Sequence, residues 1–259
     1  MAGALSDLRV IDFTRVLAGP FGTRMLADHG AEVIKVQSAV TAAGPQHNIS
    51  GYFNTWNRNK LGITLNLSRV EGIELAKKLV GISDVVVENF SPRVMKNWGL
   101  DYTVLKGIKR DLIMLSMSAM GQTGPWRDYV GFGTTVQAFS GITYLTGFPK
   151  QGPAGVGYSY ADHVGGLMGV LAILQALEHR QRTGEGQHID LSETEAMCCL
   201  LGTALLNLRL NGKDAVPVGN SPMYRIAAPH GVYRCKGEDR WCAIAVFLSL
   251  IHISEPTRH

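Results

Sequence analysis

LSDLRVIDFTRVLAGPFGTRMLADHGAEVIKV, residues 5–36, changes its hydrophobic period twice. LRVIDF (8–13) is a short apolar run with β-branched residues and reads as a strand. PFGTRMLADHG (20–30) has a proline start, a helical interior and a glycine stop, and EVIKV (32–36) is a second strand. The same alternation continues outward. SRVEGIELAKKLVGIS (68–83) places Val70, Ile73, Leu75, Ala76 and Leu79 near one helical face, and DVVVENF (84–90) and DLIMLSMS (111–118) read as buried strands. Helices are expected over 133–146 and 163–182, then a strand at QHIDL (187–191) and a helix through 192–210. Strands spaced by helices define an α/β fold, a Rossmann-like parallel sheet with flanking helices.

Composition narrows the function classes. With 259 residues, 46% hydrophobic and 18% charged, the chain can build a large core. The net charge of +4 mildly favours anionic ligands, but the basic residues are scattered, so nucleic acid is not indicated. Apolar stretches are interrupted before the roughly 20 residues of a membrane span, and MAGALSDLRVIDF lacks the pattern of an export signal. A cytoplasmic protein with no membrane partner is expected. Cys198 and Cys199 are adjacent and Cys235 and Cys242 lie apart, giving neither a CxxC metal pair nor a disulfide framework, so no metal site is expected.

Ligands of such sheets gather where strands run out into loops. The first corner, TRVLAGPFGT (14–23), lacks GxGxxG, and the second strand ends in Gln37 rather than an acidic residue. Both absences argue against a nicotinamide enzyme. AGP is either a tight turn with proline at the first helical position or a loop whose amides approach an anion. GYSYADHVGG (157–166) sets Asp162 where a loop becomes a long apolar helix. From spacing alone that aspartate is an N-cap; the same position would also suit a nucleophile, with the small residues Ala161, Gly165 and Gly166 leaving room for an acyl group.

The opening stretch, with WNRNKLGITLNL (56–67), DVVVENFSP (84–92), SMSAMGQTGP (116–125), YADHVGG (160–166) and RTGEGQHIDLSETEA (182–196), resembles the family III CoA-transferases, the CaiB/BaiF group, in order and spacing. The resemblance runs to about residue 246. It implies a Rossmann-like large domain plus a small domain, two chains interlocked as a homodimer, acyl-CoA and a carboxylic acid as substrates, and no cofactor beyond coenzyme A as substrate. It also implies a catalytic aspartate, matched by Asp162. A carboxylate suits the chemistry because its attack on a thioester yields an activated anhydride where a hydroxyl would yield a sluggish ester.

By the same resemblance Val16, Leu17 and Ala18 line the pantetheine path, Leu65, Asn66 and Ser68 lie near the nucleotide end, and Asn89, Phe90 and Ser91 form a further CoA contact. An arginine that family members often carry is replaced here by Asn97, leaving Lys96 beside it to supply charge. Without the resemblance, NRNK (57–60) reads equally as a solvated polar turn and ENF as a strand end.

A racemase branch of the fold is the rival reading. It pairs its aspartate with a histidine, and Phe132 stands at that position, where it cannot relay a proton. His163, adjacent to Asp162, points elsewhere in a first helical turn. Glu195 falls where racemases keep a glutamate, but reads equally as a helix-start carboxylate. Phe132, Tyr160 and Glu195 are taken as the substrate pocket. The stretch SPMYRIAAPHGVYRCKG (221–237) lacks the glycine run of oxalate-using members, and the aromatics Phe132, Tyr144, Phe148, Tyr158 and Tyr160 suit a larger, less polar acid or are plain core.

The expected organisation is a large catalytic domain over 1–210, a linker and the beginning of a small domain over 211–247, and a non-native tail over 248–259, LSLIHISEPTRH departing from the family pattern. On that reading the chain as written is an inactive CoA-binding fragment of its parent.

Overall fold

The computed structural model describes residues 3–39, 50–221 and 227–247; the expected tail lies outside them. The elements run β1 (Arg9–Asp12), α1 (Ala18–Asp28), β2 (Glu32–Gln37), α2 (Gly51–Asn57), β3 (Lys60–Thr64), α3 (Val70–Gly81), β4 (Val85–Glu88), α4 (Arg93–Asn97), α5 (Tyr102–Ile108), β5 (Ile113–Ser118) and α6 (Gly133–Phe139). They continue with α7 (Ile142–Leu145), α8 (Tyr160–Thr183), β6 (His188–Ser192), α9 (Glu193–Cys198), a 3-10 turn (Cys199–Leu201), α10 (Gly202–Asn211), β7 (Ala227–Arg234) and β8 (Trp241–Phe247). The chain divides into two compact units, Met1–Ser140 with Tyr158–Leu201, and Gly141–Gly157 with Gly202–His259. The segment 141–157 thus groups with the residues after 201, whereas the sequence placed it inside 1–210.

The first unit is built on a six-stranded, all-parallel sheet in the order β3-β2-β1-β4-β5-β6. Successive residues point to opposite faces, and both faces are covered. Val10, Val85, Val87, Ile113 and Leu115 pack with Leu26 of α1 and Ile173 of α8. Ile11, Val86, Leu112 and Met114 pack with Ala76 and Val80 of α3 and Leu105 of α5. Each fully buried side chain of this size contributes roughly 1.5–3 kcal/mol, which explains why these strands are continuous apolar runs.

The helices depart from the sequence reading in three places. On α3 the buried face is Gly72, Ala76 and Val80, with Ile73 and Leu79 packed partly buried beside it, while Val70 and Leu75 are exposed. The helix expected over 133–146 is broken at Gly141, whose φ of 88° is a conformation glycine adopts without steric cost. The one expected over 192–210 is broken by the 3-10 turn. Helix α8 is long and apolar enough by composition to cross a membrane, but Val164, Gly169, Ile173 and Ala176 are buried in this unit, so it reads as a core helix.

One buried polar cluster was not legible as such. Asp12, fully buried, accepts from Lys35 Nζ at 3.2 Å, Lys60 Nζ at 2.9 Å, the Thr14 amide at 2.8 Å and the Thr23 hydroxyl at 2.7 Å. Lys60 also donates to the Pro20 carbonyl at 3.0 Å and Asn57 Oδ1 at 3.0 Å. Within NRNK, Arg58 and Asn59 do form an exposed turn, but Lys60 is drawn inward and ties β3 to the end of β1 and to α1. The two ammoniums overcome the burial that would raise the Asp12 carboxyl, and hold it well below the usual carboxylate range.

The second unit carries α7, a bridge between Gly147 and Pro153, α10, and the antiparallel pair β7–β8.

Candidate active site

In the strand order above, the chain reverses its direction of travel across the sheet between β1 and β4, and the crevice beyond their carboxyl ends is the place where open α/β sheets hold ligands. The loop after β1 is unusual there. Val16 has φ 66°, a strained backbone for a β-branched residue. The Asn89 side chain, from the loop after β4, holds it: Asn89 Oδ1 accepts from the Arg15 amide at 2.7 Å and Asn89 Nδ2 donates to the Arg15 carbonyl at 2.9 Å. That second loop is itself tied down, since Glu88 Oε2 accepts from the Phe90 amide at 2.8 Å. Burial pushes the Glu88 carboxyl up to about 7.

A cavity of 290 Å³ opens at this crevice. Its walls include Arg15, Val16, Asn89, Phe90, Ser91, Ala119, Phe132, Asp162 and Glu193. Asp162 enters from the first turn of α8, whose N-cap is Ser159. It is therefore the third helical residue and not the N-cap. The main-chain N–H groups of Ala18 and of Asp162 itself and the Ser159 hydroxyl act on its carboxylate, at the amino-terminal ends of α1 and α8. These donors favour the ionised form, as the sequence suggested, but burial outweighs them and leaves the carboxyl above the usual aspartate range. Gly133 walls the group closely: any Cβ there would collide with Asp162 Oδ2.

The small residues around Asp162 do not serve as expected. A Cβ at Gly166 would lie 2.8 Å from the Ala18 carbonyl and 2.7 Å from the Phe21 ring, and one at Gly165 would lie 3.0 Å from Glu193 Cγ. They let α1 and α9 approach α8, and Ala161 is fully buried; the open space lies on the side of Val16, Ala119 and Phe132. His163 does point away, with Nδ1 2.8 Å from the Ser159 carbonyl and its ring 4.2 Å from Tyr158 and 4.8 Å from Phe21.

A second cavity of 280 Å³ is walled by Phe13, Arg15, Leu65, Asn66, Ser68, Phe90 and Trp98. It shares Arg15 and Phe90 with the first, and the Arg15 guanidinium lies 5.4 Å from the Phe90 ring centre. Val16, Asn89, Phe90, Ser91, Phe132 and Asp162 are thus brought together, and Leu65, Asn66 and Ser68 adjoin them through a shared wall. Leu17 is buried behind the loop. Lys96 is exposed on the last turn of α4 and lines neither cavity.

Two pocket assignments need correction. Tyr160 lines neither cavity; its amide donates to Gln137 Oε1 at 3.0 Å and its side chain is exposed. Glu195 is also exposed, because Ser192 caps α9 by accepting from the Glu195 amide at 3.2 Å and the helix then carries residue 195 outward. The glutamate in the cavity is Glu193, 7% exposed. Burial first, and then the charge of Asp162, push its carboxyl up to about 8. Arg15 and Arg127 are further cavity residues that sequence reasoning missed. Among the described residues no cluster of three His, Cys, Asp or Glu side chains suits a metal ion.

A doubly wound α/β unit with a half-buried carboxylate at the switch point, facing a cavity that shares a wall with a second one, has the form of a ligand-binding domain. The chain belongs to CoA-transferase family III, whose model matches residues 5–249. It is 38% identical over 250 residues to the succinyl-CoA–L-malate CoA-transferase alpha subunit of Chloroflexus aurantiacus, covering 93% of this chain and 58% of that protein. It is 37% identical over 230 residues to the succinate–glutarate CoA-transferase of Agrobacterium fabrum, covering 84% and 58%, and 39% identical over 241 residues to the acetyl-CoA:oxalate CoA-transferase of Acetobacter aceti, covering 90% and 61%. A crystal structure of a CaiB/BaiF family protein from Brucella suis matches with TM-score 0.84 and 37% identity, over 90% of this chain and 64% of that one. The chain spans about three-fifths of the length of these relatives.

Proposed function

We propose that the full-length protein moves CoA from an acyl-CoA donor to a carboxylic acid, with Asp162 as the nucleophile. The observation that carries this reading is the Asp162 carboxyl itself, half-buried on the wall of the cavity at the switch point and beside the amino-terminal ends of two helices. An Asp162 oxygen attacks the thioester carbonyl, the C–S bond breaks, and CoA leaves as thiolate, giving a mixed anhydride. The thiolate then attacks the aspartyl carbonyl, releasing the donor acid as carboxylate and leaving an aspartyl-CoA thioester. The acceptor carboxylate reverses both steps, so no net proton or electron is exchanged. The crevice would serve this chemistry by shielding the intermediates from the water that would hydrolyse them.

Leu65, Asn66, Ser68, Asn89, Phe90 and Ser91 would carry the CoA moiety along the adjoining cavities, with Arg15 rather than Lys96 as the nearest cation. Succinyl-CoA and small dicarboxylic acids are the first substrates to try, because related proteins carry those names. Arg15 and Arg127 on the cavity wall support an acid more polar than the aromatics had suggested; of those residues only Phe132 lines the cavity. The protein would work as a cytoplasmic homodimer, and the side of α8 formed by Leu167, Met168, Leu171 and Leu174 is exposed and apolar, as a partner surface requires.

The racemase alternative is tested in deuterated water. The full-length protein is expected to pass CoA from succinyl-CoA to glutarate or malate without deuterium entering the α-carbon of either acyl group. Rapid α-deuteration in the absence of any acceptor acid would favour the racemase reading, for which Phe132 supplies no proton relay.

A further inference from the structure

We propose that Glu193, in its neutral form, donates a hydrogen bond to the carboxylate of the acid that exchanges CoA at Asp162; the proposal rests on the transferase reading above. Three observations carry it. Glu193 is buried and lines the same cavity as Asp162. Its stem lies against α8 at Gly165, one helical turn beyond Asp162, where a Cβ would approach Glu193 Cγ to 3.0 Å. Its neighbours on α9 are already engaged: Thr194 Oγ1 donates to the Ala119 carbonyl at 2.7 Å, Ser192 Oγ receives the Glu195 amide, and Glu195 is outside. Among the described residues no hydrogen bond satisfies the Glu193 carboxyl, which leaves it available to a ligand in the cavity it lines.

The chemistry calls for such a group. Asp162 begins ionised, and the incoming or departing acid is also a carboxylate, so two like charges must share a small buried space. A neutral carboxylic acid donates its O–H to the substrate carboxylate without adding charge and keeps its proton throughout. The charged and titratable groups facing Glu193 are consistent with this state: Asp162 from α8 is anionic and opposes ionisation, while Arg15, from the loop after β1, and Arg127 and Tyr129, from the loop before α6, stand on other parts of the cavity wall. Arg127 lies 3.7 Å from Asp128. Burial and the Asp162 charge place the Glu193 carboxyl at about 8, so it holds its proton at neutral pH and loses it as pH rises through that value.

The test follows exchange of isotope-labelled succinate into succinyl-CoA by the full-length protein. The wild type is expected to lose exchange as pH rises through about 8. Glu193→Gln, which keeps a neutral donor, is expected to retain more exchange at pH 7 than Glu193→Leu and to lack that alkaline decline; Glu193→Leu is expected to raise the KM for succinate about 10–100-fold while the KM for succinyl-CoA changes little. Thermal unfolding of both variants checks that they fold, and if the leucine variant does not, the pH profile of Glu193→Gln decides alone. An alkaline decline that persists in Glu193→Gln, or a leucine variant that folds and keeps its KM for succinate, overturns the proposal and leaves the transferase reading intact. Absence of exchange in the wild type overturns the succinate reading beneath it and the proposal with it.

Discussion

Asp162→Ala is expected to lower CoA transfer in the full-length protein by about 10⁴–10⁶-fold, the range lost when a covalent nucleophile is removed, while acyl-CoA binding stays within a few-fold. The split follows from geometry. The Leu65–Ser68 and Asn89–Ser91 segments form walls that do not depend on the Asp162 side chain, so the CoA moiety keeps its contacts. What disappears is the carboxylate that faces the cavity from α8. Glu193 cannot replace it, because it holds its proton at neutral pH and a protonated carboxyl is a poor nucleophile. Stopped-flow or steady-state transfer assays beside equilibrium titration with succinyl-CoA measure both arms. A variant that keeps more than about one per cent of the wild-type rate, far above the range expected for a lost nucleophile, would remove Asp162 from the mechanism.

Asp12→Ala is expected to cost about 3–5 kcal/mol, the range for breaking a buried ion pair by removing one partner. That is a large share of the about 5–15 kcal/mol by which a domain is stable, and corresponds to a fall in Tm of roughly 6–20 °C for a chain of this size. The reason is that Lys35 and Lys60 both lose their counter-charge inside the fold. Burial already holds Lys60 down to about 8. The pH dependence has a definite sign. The folded Asp12 carboxyl lies below its unfolded value of 3.8, so its stabilisation is present above about pH 4 and is lost as pH falls below it. Acid unfolding of the wild type should therefore begin below pH 4 with a contribution that the alanine variant lacks. A melting temperature within two or three degrees of wild type would show that the cluster is not what joins β1, β2 and β3.

The sheet was legible because its strands announce themselves. VVVE and IMLSMS are buried on both faces and carry no competing helical period, so only their ends were uncertain. Helix α8 was equally clear, whereas spacing alone made Asp162 its N-cap, a position that Ser159 holds; only the family resemblance singled Asp162 out. What escaped was information held by pairs of residues far apart in sequence. Lys60 looks like one basic residue in a polar run, and nothing local shows that it meets Asp12, 48 positions away. Arg15 likewise becomes a cavity residue only once Asn89, 74 positions on, has folded its main chain into place. Glu193 is different, since a local signal existed. Serine followed three residues later by glutamate is a helix-capping pattern, and it assigns Ser192 and Glu195 to the start of α9. Reading it would have left Glu193 as the acidic residue of ETEA without a structural use. The pocket assignment of Tyr160 failed for a related reason: neighbours in sequence at a helix start point in different directions, and only Asp162 turns toward the cavity.

The central claim is that the acyl group and then CoA pass through a covalent bond to Asp162. The direct measurement is to mix the full-length protein with succinyl-CoA in the absence of an acceptor, trap with hydroxylamine, digest, and map the product by mass spectrometry. Hydroxylamine attacks the activated aspartyl carbonyl and expels CoA or succinate, so a hydroxamate on the peptide at Asp162, absent without succinyl-CoA, is the expected result. A modification found instead on Glu193, Cys198 or Cys199, or no modification while the protein turns over, would contradict the account.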